Sequence, residues 1–155
     1  IDRRKETWAR AWATTVPDSL LARARAVGPL RVLAITEPGC SDSANSVPIL
    51  ARLAEGAPNL DLRLIDSKTG KQWMEAHRTP DGRGATPTFL VLDEQFRIQG
   101  CWVERPQALK DFLARDGGDK MKWYEDDAGR EIMRELVEML EAAKSETPIC
   151  RRGPG

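Results

Sequence analysis

Cysteine and histidine are scarce in this chain. Three cysteines (Cys40, Cys101, Cys150) and one histidine (His77) stand among 155 residues. An odd number of widely spaced cysteines makes no disulfide framework, and with one histidine they form no zinc pattern. A reducing compartment with at least one free thiol is the simplest reading, and it points to the cytoplasm. Charge of one sign is also missing, since 24 basic residues face 24 acidic ones. That balance, without a basic stripe, argues against a nucleic-acid partner. No apolar run approaches the roughly 18 residues of a membrane span. No signal peptide is visible, although the chain begins at Ile1 without Met.

The informative stretch is Arg31 to Val47, RVLAITEPGCSDSANSV. An apolar run (Val32, Leu33, Ala34, Ile35) stops at Glu37-Pro38-Gly39, a cysteine follows, and a helix begins. A helix N-terminus offers unpaired N–H groups and about half a positive charge. A thiol placed there ionises more readily, and the thiolate is the nucleophile. Cys40 is therefore the expected functional centre.

In chain order, residues 1–28 read as an N-terminal helical extension, with Trp8 and Trp12 at i, i+4 on one face. Packing of that helix onto a sheet is the expected role of the two indoles; ligand stacking is the alternative. Pro17-Asp18 starts a second helix and Gly28-Pro29 ends it. Leu30 to Ile35 is a first strand, its continuous apolar character fitting a position covered on both faces. A helix over about 43–55 follows, with Pro48 inside it. Leu60 to Ile65 alternates as a second strand, and Asp66-Ser67 caps a short helix over about 69–77. A loop leads to Ala85-Thr86-Pro87-Thr88, strand three (Phe89–Leu92), a turn, and strand four (Phe96–Val103). Pro106 opens a helix through Leu113. Residues 117–146 form an amphipathic helix or helix pair, with a bend at Gly129. Residues 147–155 read as a flexible tail. The fold class is thus α/β: a four-stranded mixed sheet with helices on both faces, its core over 29–116.

Two stretches carry a likeness: Glu37-Pro38-Gly39-Cys40-Ser41-Asp42-Ser43, and Ala85 to Asp93 with its proline before a strand. Together with the element order they resemble the thioredoxin superfamily. Within it, the chain is most similar to bacterial thioredoxin-like proteins whose site reads Glu-x-Trp-Cys-x-Asp, followed by a helix with Val-Pro, here Val47-Pro48. The resemblance covers roughly residues 30–115. It implies a thioredoxin fold and a cis peptide before Pro87. It also implies that Gly39, Thr86 and Pro87 bind an extended substrate, with the Thr86 N–H and C=O offered in a strand-addition mode. The chain departs from the pattern in three places. Gly39 stands for the tryptophan, Ser43 for the second cysteine, and Ala34 for the buried acid of thioredoxins.

Thiol–disulfide exchange needs a nucleophilic thiolate and then a resolving thiol. Cys40 supplies the first, with the Ser43 hydroxyl placed to hydrogen-bond the sulfur. Asp42 either caps the helix or, as a nearby carboxylate, opposes a second negative charge. With no cysteine at position 43, a mixed disulfide on Cys40 lacks a local resolver. An external thiol such as glutathione can resolve it, Cys101 can if the fold brings it close, or Cys40 holds its partner covalently. Cys101 reads as a buried strand residue. Cys150, in the tail, is the thiol expected to react adventitiously. Arg78 and Arg83 are expected as solvated loop residues, with positive potential near Cys40 the alternative; His77 is expected to end its helix. Two functions from different classes follow. One is a monothiol (CxxS) oxidoreductase acting on a protein or small-molecule thiol or disulfide, with no cofactor of its own beyond glutathione as external thiol. The other is a redox-inert binding module of the same fold.

Overall fold

The computed structural model describes residues 2–145 and 150–151. Two helices, α1 (Asp2–Trp12) and α2 (Asp18–Ala26), precede β1 (Leu30–Thr36), α3 (Ser41–Gly56), β2 (Leu60–Asp66) and α4 (Lys71–Ala76). Then come β3 (Thr88–Leu92), β4 (Ile98–Val103), α5 (Gln107–Asp116), α6 (Lys120–Asp127), α7 (Arg130–Ala142) and β5 (Cys150–Arg151). The sheet order is β2-β1-β3-β4-β5. β1 and β2 run parallel, β3 lies antiparallel to both β1 and β4, and β5 runs parallel to β4. The four expected strands form the mixed sheet, and the two-residue β5 extends its edge.

β5 corrects two expectations. Cys150–Arg151 is strand, not loose tail; the other tail residues lie outside the described ones. Cys101 and Cys150 are disulfide-bonded, with Cα atoms 4.2 Å apart, which leaves Cys40 as the free cysteine. The odd count implies no disulfide framework and at least one free thiol. It is one pair plus one thiol, and the argument from free thiols to a reducing compartment loses its basis. Among the described residues, no helix is long and apolar enough to cross a membrane.

The helices divide unequally between the sheet faces. Leu30, Val32 and Ala34 of β1, with Phe89 and Val91 of β3, face the main core beneath α3 and α7. Trp102 stacks on Phe89 at a centroid distance of 5.2 Å, and its indole N–H donates to Glu135 of α7 at 2.8 Å. The other Glu135 oxygen accepts from the Gln107 N–H at 2.8 Å, so this buried carboxylate joins α7, the sheet and α5. The opposite face carries a smaller cluster of Leu90, Cys101, Val103 and Ala85, with Leu33 and Trp73 of α4 packed against it. Coverage of β1 is therefore complete on one face and partial on the other, where Arg31 and Leu33 stay half-buried.

The C-terminal segment is a helix pair. Ala128 and Gly129 both take left-handed backbone, at φ 53° and 81°. A Cβ on Gly129 would also sit 3.0 Å from the Ile49 side chain. Just before this break Asp127 is buried, and its carboxylate accepts from the Glu131 N–H at 3.1 Å. Burial raises the Asp127 pKa above the ordinary carboxylate value, against that hydrogen bond. The native state thus keeps this proton to higher pH than the unfolded chain does. The contribution to stability is full in acid and is lost as pH rises through the raised value. Asp127→Asn is expected to flatten that loss, seen as a smaller fall in Tm between acid and neutral pH. An unchanged fall would mean that the carboxyl titrates alike in both states.

Candidate active site

β1 ends at Thr36, and Glu37 to Gly39 turn the chain so that the Cys40 N–H donates to the Glu37 carbonyl at 3.1 Å. Cys40 is the N-cap of α3, which begins at Ser41, two residues before the start expected at about Ser43. Its sulfur accepts from the Ser43 N–H at 3.5 Å. It is thus a backbone donor of the first turn, not the Ser43 hydroxyl, that reaches the sulfur. The hydroxyl of the buried Ser43 instead accepts from the Glu37 N–H at 3.3 Å.

The loop before β3 closes the other side. The Thr86–Pro87 peptide is cis. The Thr86 carbonyl accepts from the Cys40 S–H at 3.4 Å. That carbonyl is therefore engaged by the thiol form of Cys40 through one of its two lone pairs. Thr88 Oγ1 donates to the Ala85 carbonyl at 2.7 Å, and the Glu104 N–H to the Pro87 carbonyl at 2.8 Å, which fix the segment against β4. Gly39 has open space where a side chain would project. Cys40, Ser43, Gly39, Thr86 and Pro87 are therefore gathered at one end of β1 and β3.

Asp42 does not cap the helix. It is buried, and its carboxylate accepts from Tyr124 Oη at 2.6 Å, Arg105 Nη2 at 2.7 Å and Lys120 Nζ at 3.2 Å. Burial works against the Arg105 charge, but Asp42 and Glu104 beside it outweigh that and raise its pKa above the usual guanidinium value. Burial, then the Asp42 charge, push the Tyr124 phenol well above its ordinary value, so it stays a donor. The carboxylate that would oppose a thiolate next to it is thus itself neutralised by two cations. Trp123 stays partly buried against the core, edge-on to Tyr124.

Two further contacts come from α1, which packs on α3 and the site loop rather than on the sheet. Trp8 Nε1 donates to the Pro38 carbonyl at 2.9 Å and Arg4 Nε to the Gly39 carbonyl at 3.3 Å. Glu37 holds the loop from the other side, accepting from the Ser67 N–H at 3.1 Å and from the Ser67 hydroxyl. Arg4 and Trp8 share a helix face at i, i+4, the one sequence signal that links them. Asp66 accepts from the Thr69 N–H at 2.7 Å and orders the turn ahead of α4, whose N-cap is Gly70. Arg83 bridges Asp81 and Glu104, Arg78 pairs with Glu75, and His77 ends α4. Both arginines are exposed, as expected of solvated loop residues, and each is also in an ion pair. Among the described residues, no three His, Cys, Asp or Glu side chains gather as a metal site.

A family model described as Thioredoxin matches residues 2–140. The chain belongs to the thioredoxin family. Membership supports a thiol–disulfide-related role in general, and the match reaches well beyond the β1–β4 core to α1 and most of α7. This thioredoxin-family chain is similar to a protein of unknown function from Pseudomonas aeruginosa, known from a crystal structure. The two are 25% identical with a TM-score of 0.71, over 92% of this chain and 87% of that one. It is similar in fold to an HIV epitope-scaffold, 24% identical with a TM-score of 0.70, over 91% of this chain and 86% of that one. No curated protein matches it.

Proposed function

We propose that this member of the thioredoxin family is a monothiol protein that forms mixed disulfides through Cys40, as a CxxS variant of the bacterial thioredoxin-like type. The observation that carries the reading is the half-buried Cys40 sulfur, set between the first N–H groups of α3 and the Thr86–Pro87 segment. The Cys40 thiolate attacks a partner disulfide. A new S–S bond forms to one partner sulfur, and the other leaves with the bonding electrons and takes up the proton that Cys40 released. Ser43 cannot attack that bond as a thiol would, and Cys101 is tied to Cys150 on the far side of β3. Resolution therefore falls to an external thiol such as glutathione, which returns Cys40 as a thiol and departs as the partner's mixed disulfide. The partner is a protein or small-molecule disulfide, and the compartment this reading takes is the glutathione-rich cytoplasm, where the Cys101–Cys150 bond, fully buried at Cys101, must resist reduction.

The test is intact-mass analysis after exposure to oxidised glutathione, without reductant. The expected product is a single glutathionyl adduct that maps to Cys40 and is absent in Cys40→Ser. A wild-type chain that takes up no adduct would overturn the reading and leave a redox-inert binding module.

A further inference from the structure

The half of the second sheet face that α4 leaves open is not plain surface. Leu33, Leu90 and Leu92 floor a half-open cavity of about 520 Å³, walled by Trp73 of α4 and by Phe96 of the β3–β4 turn. That volume is in the range of small-molecule sites, which are typically apolar with few polar groups. Phe96 is 66% exposed, yet the turn that carries it is ordered. Asp93 accepts from the Gln95 and Arg97 N–H groups at 2.9 Å each, and the Arg31 guanidinium lies 4.3 Å over the Phe96 ring.

The charges at the rim select the occupant. Arg31, Arg63 and Asp61 line the cavity, and Arg63 is paired with Asp61 at 3.0 Å. Among the described residues no carboxylate pairs with Arg31, whose guanidinium lies over the Phe96 ring. An apolar floor with one uncompensated guanidinium at its edge complements an amphipathic anion. A second copy of the chain fits poorly, because two-fold packing would set the same net positive rim against itself. We propose that this cavity binds a small amphipathic carboxylate, its aliphatic part on the leucine floor beside Trp73 and its carboxylate on Arg31. The site lies on the face opposite α3 and does not depend on the Cys40 chemistry.

The experiment is titration of the full chain with decanoate below its micelle concentration, followed by amide and indole NMR shifts. Saturable binding is expected, with shifts centred on Leu33, Trp73 and Phe96 and none at Cys40. Arg31→Leu removes the charge while keeping a strand-compatible side chain of similar reach, and is expected to weaken binding by about tenfold or more, the order expected for a lost charge-assisted contact. Ile98→Glu adds an acid at the same rim, on another strand, and is expected to weaken it too; each variant's spectrum reports whether the fold is intact. Decyltrimethylammonium, the cationic counterpart, is expected to bind at least about tenfold more weakly than decanoate. The proposal is overturned by non-saturable binding, by shifts centred elsewhere, by equal affinity for the two amphiphiles, or by undiminished binding in a folded Arg31→Leu chain.

Discussion

Asp42→Ala is expected to lower stability by about 3 kcal/mol, the lower end of the range for breaking a buried ion pair. Its carboxylate is buried and is shared by Arg105, Lys120 and Tyr124. Truncation removes the acceptor and leaves two cations and a buried phenol facing one another. Arg105 retains Glu104, with Nε 3.5 Å from Oε1, and Lys120 is 27% exposed, so solvent and one carboxylate recover part of the loss. That is why the lower end applies. Asp42→Asn keeps an oxygen for Tyr124 but no charge, and should fall between wild type and alanine. The loss should also reach the chemistry. Asp42 sits two residues into α3 from Cys40, and its three donors come from α6 and the segment after β4. Releasing them frees the first turn of the helix whose N–H groups face the sulfur. Urea unfolding gives the first effect and the rate of Cys40 glutathionylation the second. A loss below about 1 kcal/mol, the scale of a screened surface pair, would show that solvent already neutralises the cluster.

The hub was illegible for a simple reason. Its contacts span 63, 78 and 82 residues, and no local spacing records them. Asp42 read alone resembles a helix cap, because an acid near a helix N-terminus is favoured by the unpaired N–H groups and the dipole there. The strand, the turn and Cys40 were legible because each is a local pattern: an apolar run, Pro-Gly punctuation, then helical periodicity. The open cavity was hidden by the same logic. Leu33 looks identical in sequence whether a helix or a cavity covers it, so continuous apolar character in β1 could not tell full cover from half. The segment after Asp119 left one helix and a helix pair both open in the sequence; Gly129 marked the place of the bend, and there the backbone takes positive φ. The disulfide did not. Its cysteines are 49 residues apart, and counting treats three cysteines as a remainder instead of a pair with one left over.

Reduction of that pair carries the second large effect. Cross-linking Cys101 to Cys150 closes a loop of 49 residues that holds α5, α6 and α7. In the chain-entropy view a loop of this size restricts the unfolded state by about 4 kcal/mol. The native state offsets some of it. β5 is two residues long and sits at the sheet edge, so once cut free it regains motion that the bond denied. The net fall expected is therefore about 2–3 kcal/mol, within the usual range for a native disulfide. Urea titrations with and without reductant should separate wild type, which loses stability on reduction, from Cys150→Ser, which starts lower and does not respond. If reductant shifts neither, the cross-link contributes nothing in solution. The functional readout should stay still throughout. Cys101 is fully buried on β4, and β3 separates it from the strand that leads to Cys40. Cys150→Ser should glutathionylate at Cys40 as fast as wild type and gain no second adduct, because the thiol it leaves at position 101 has no path to solvent.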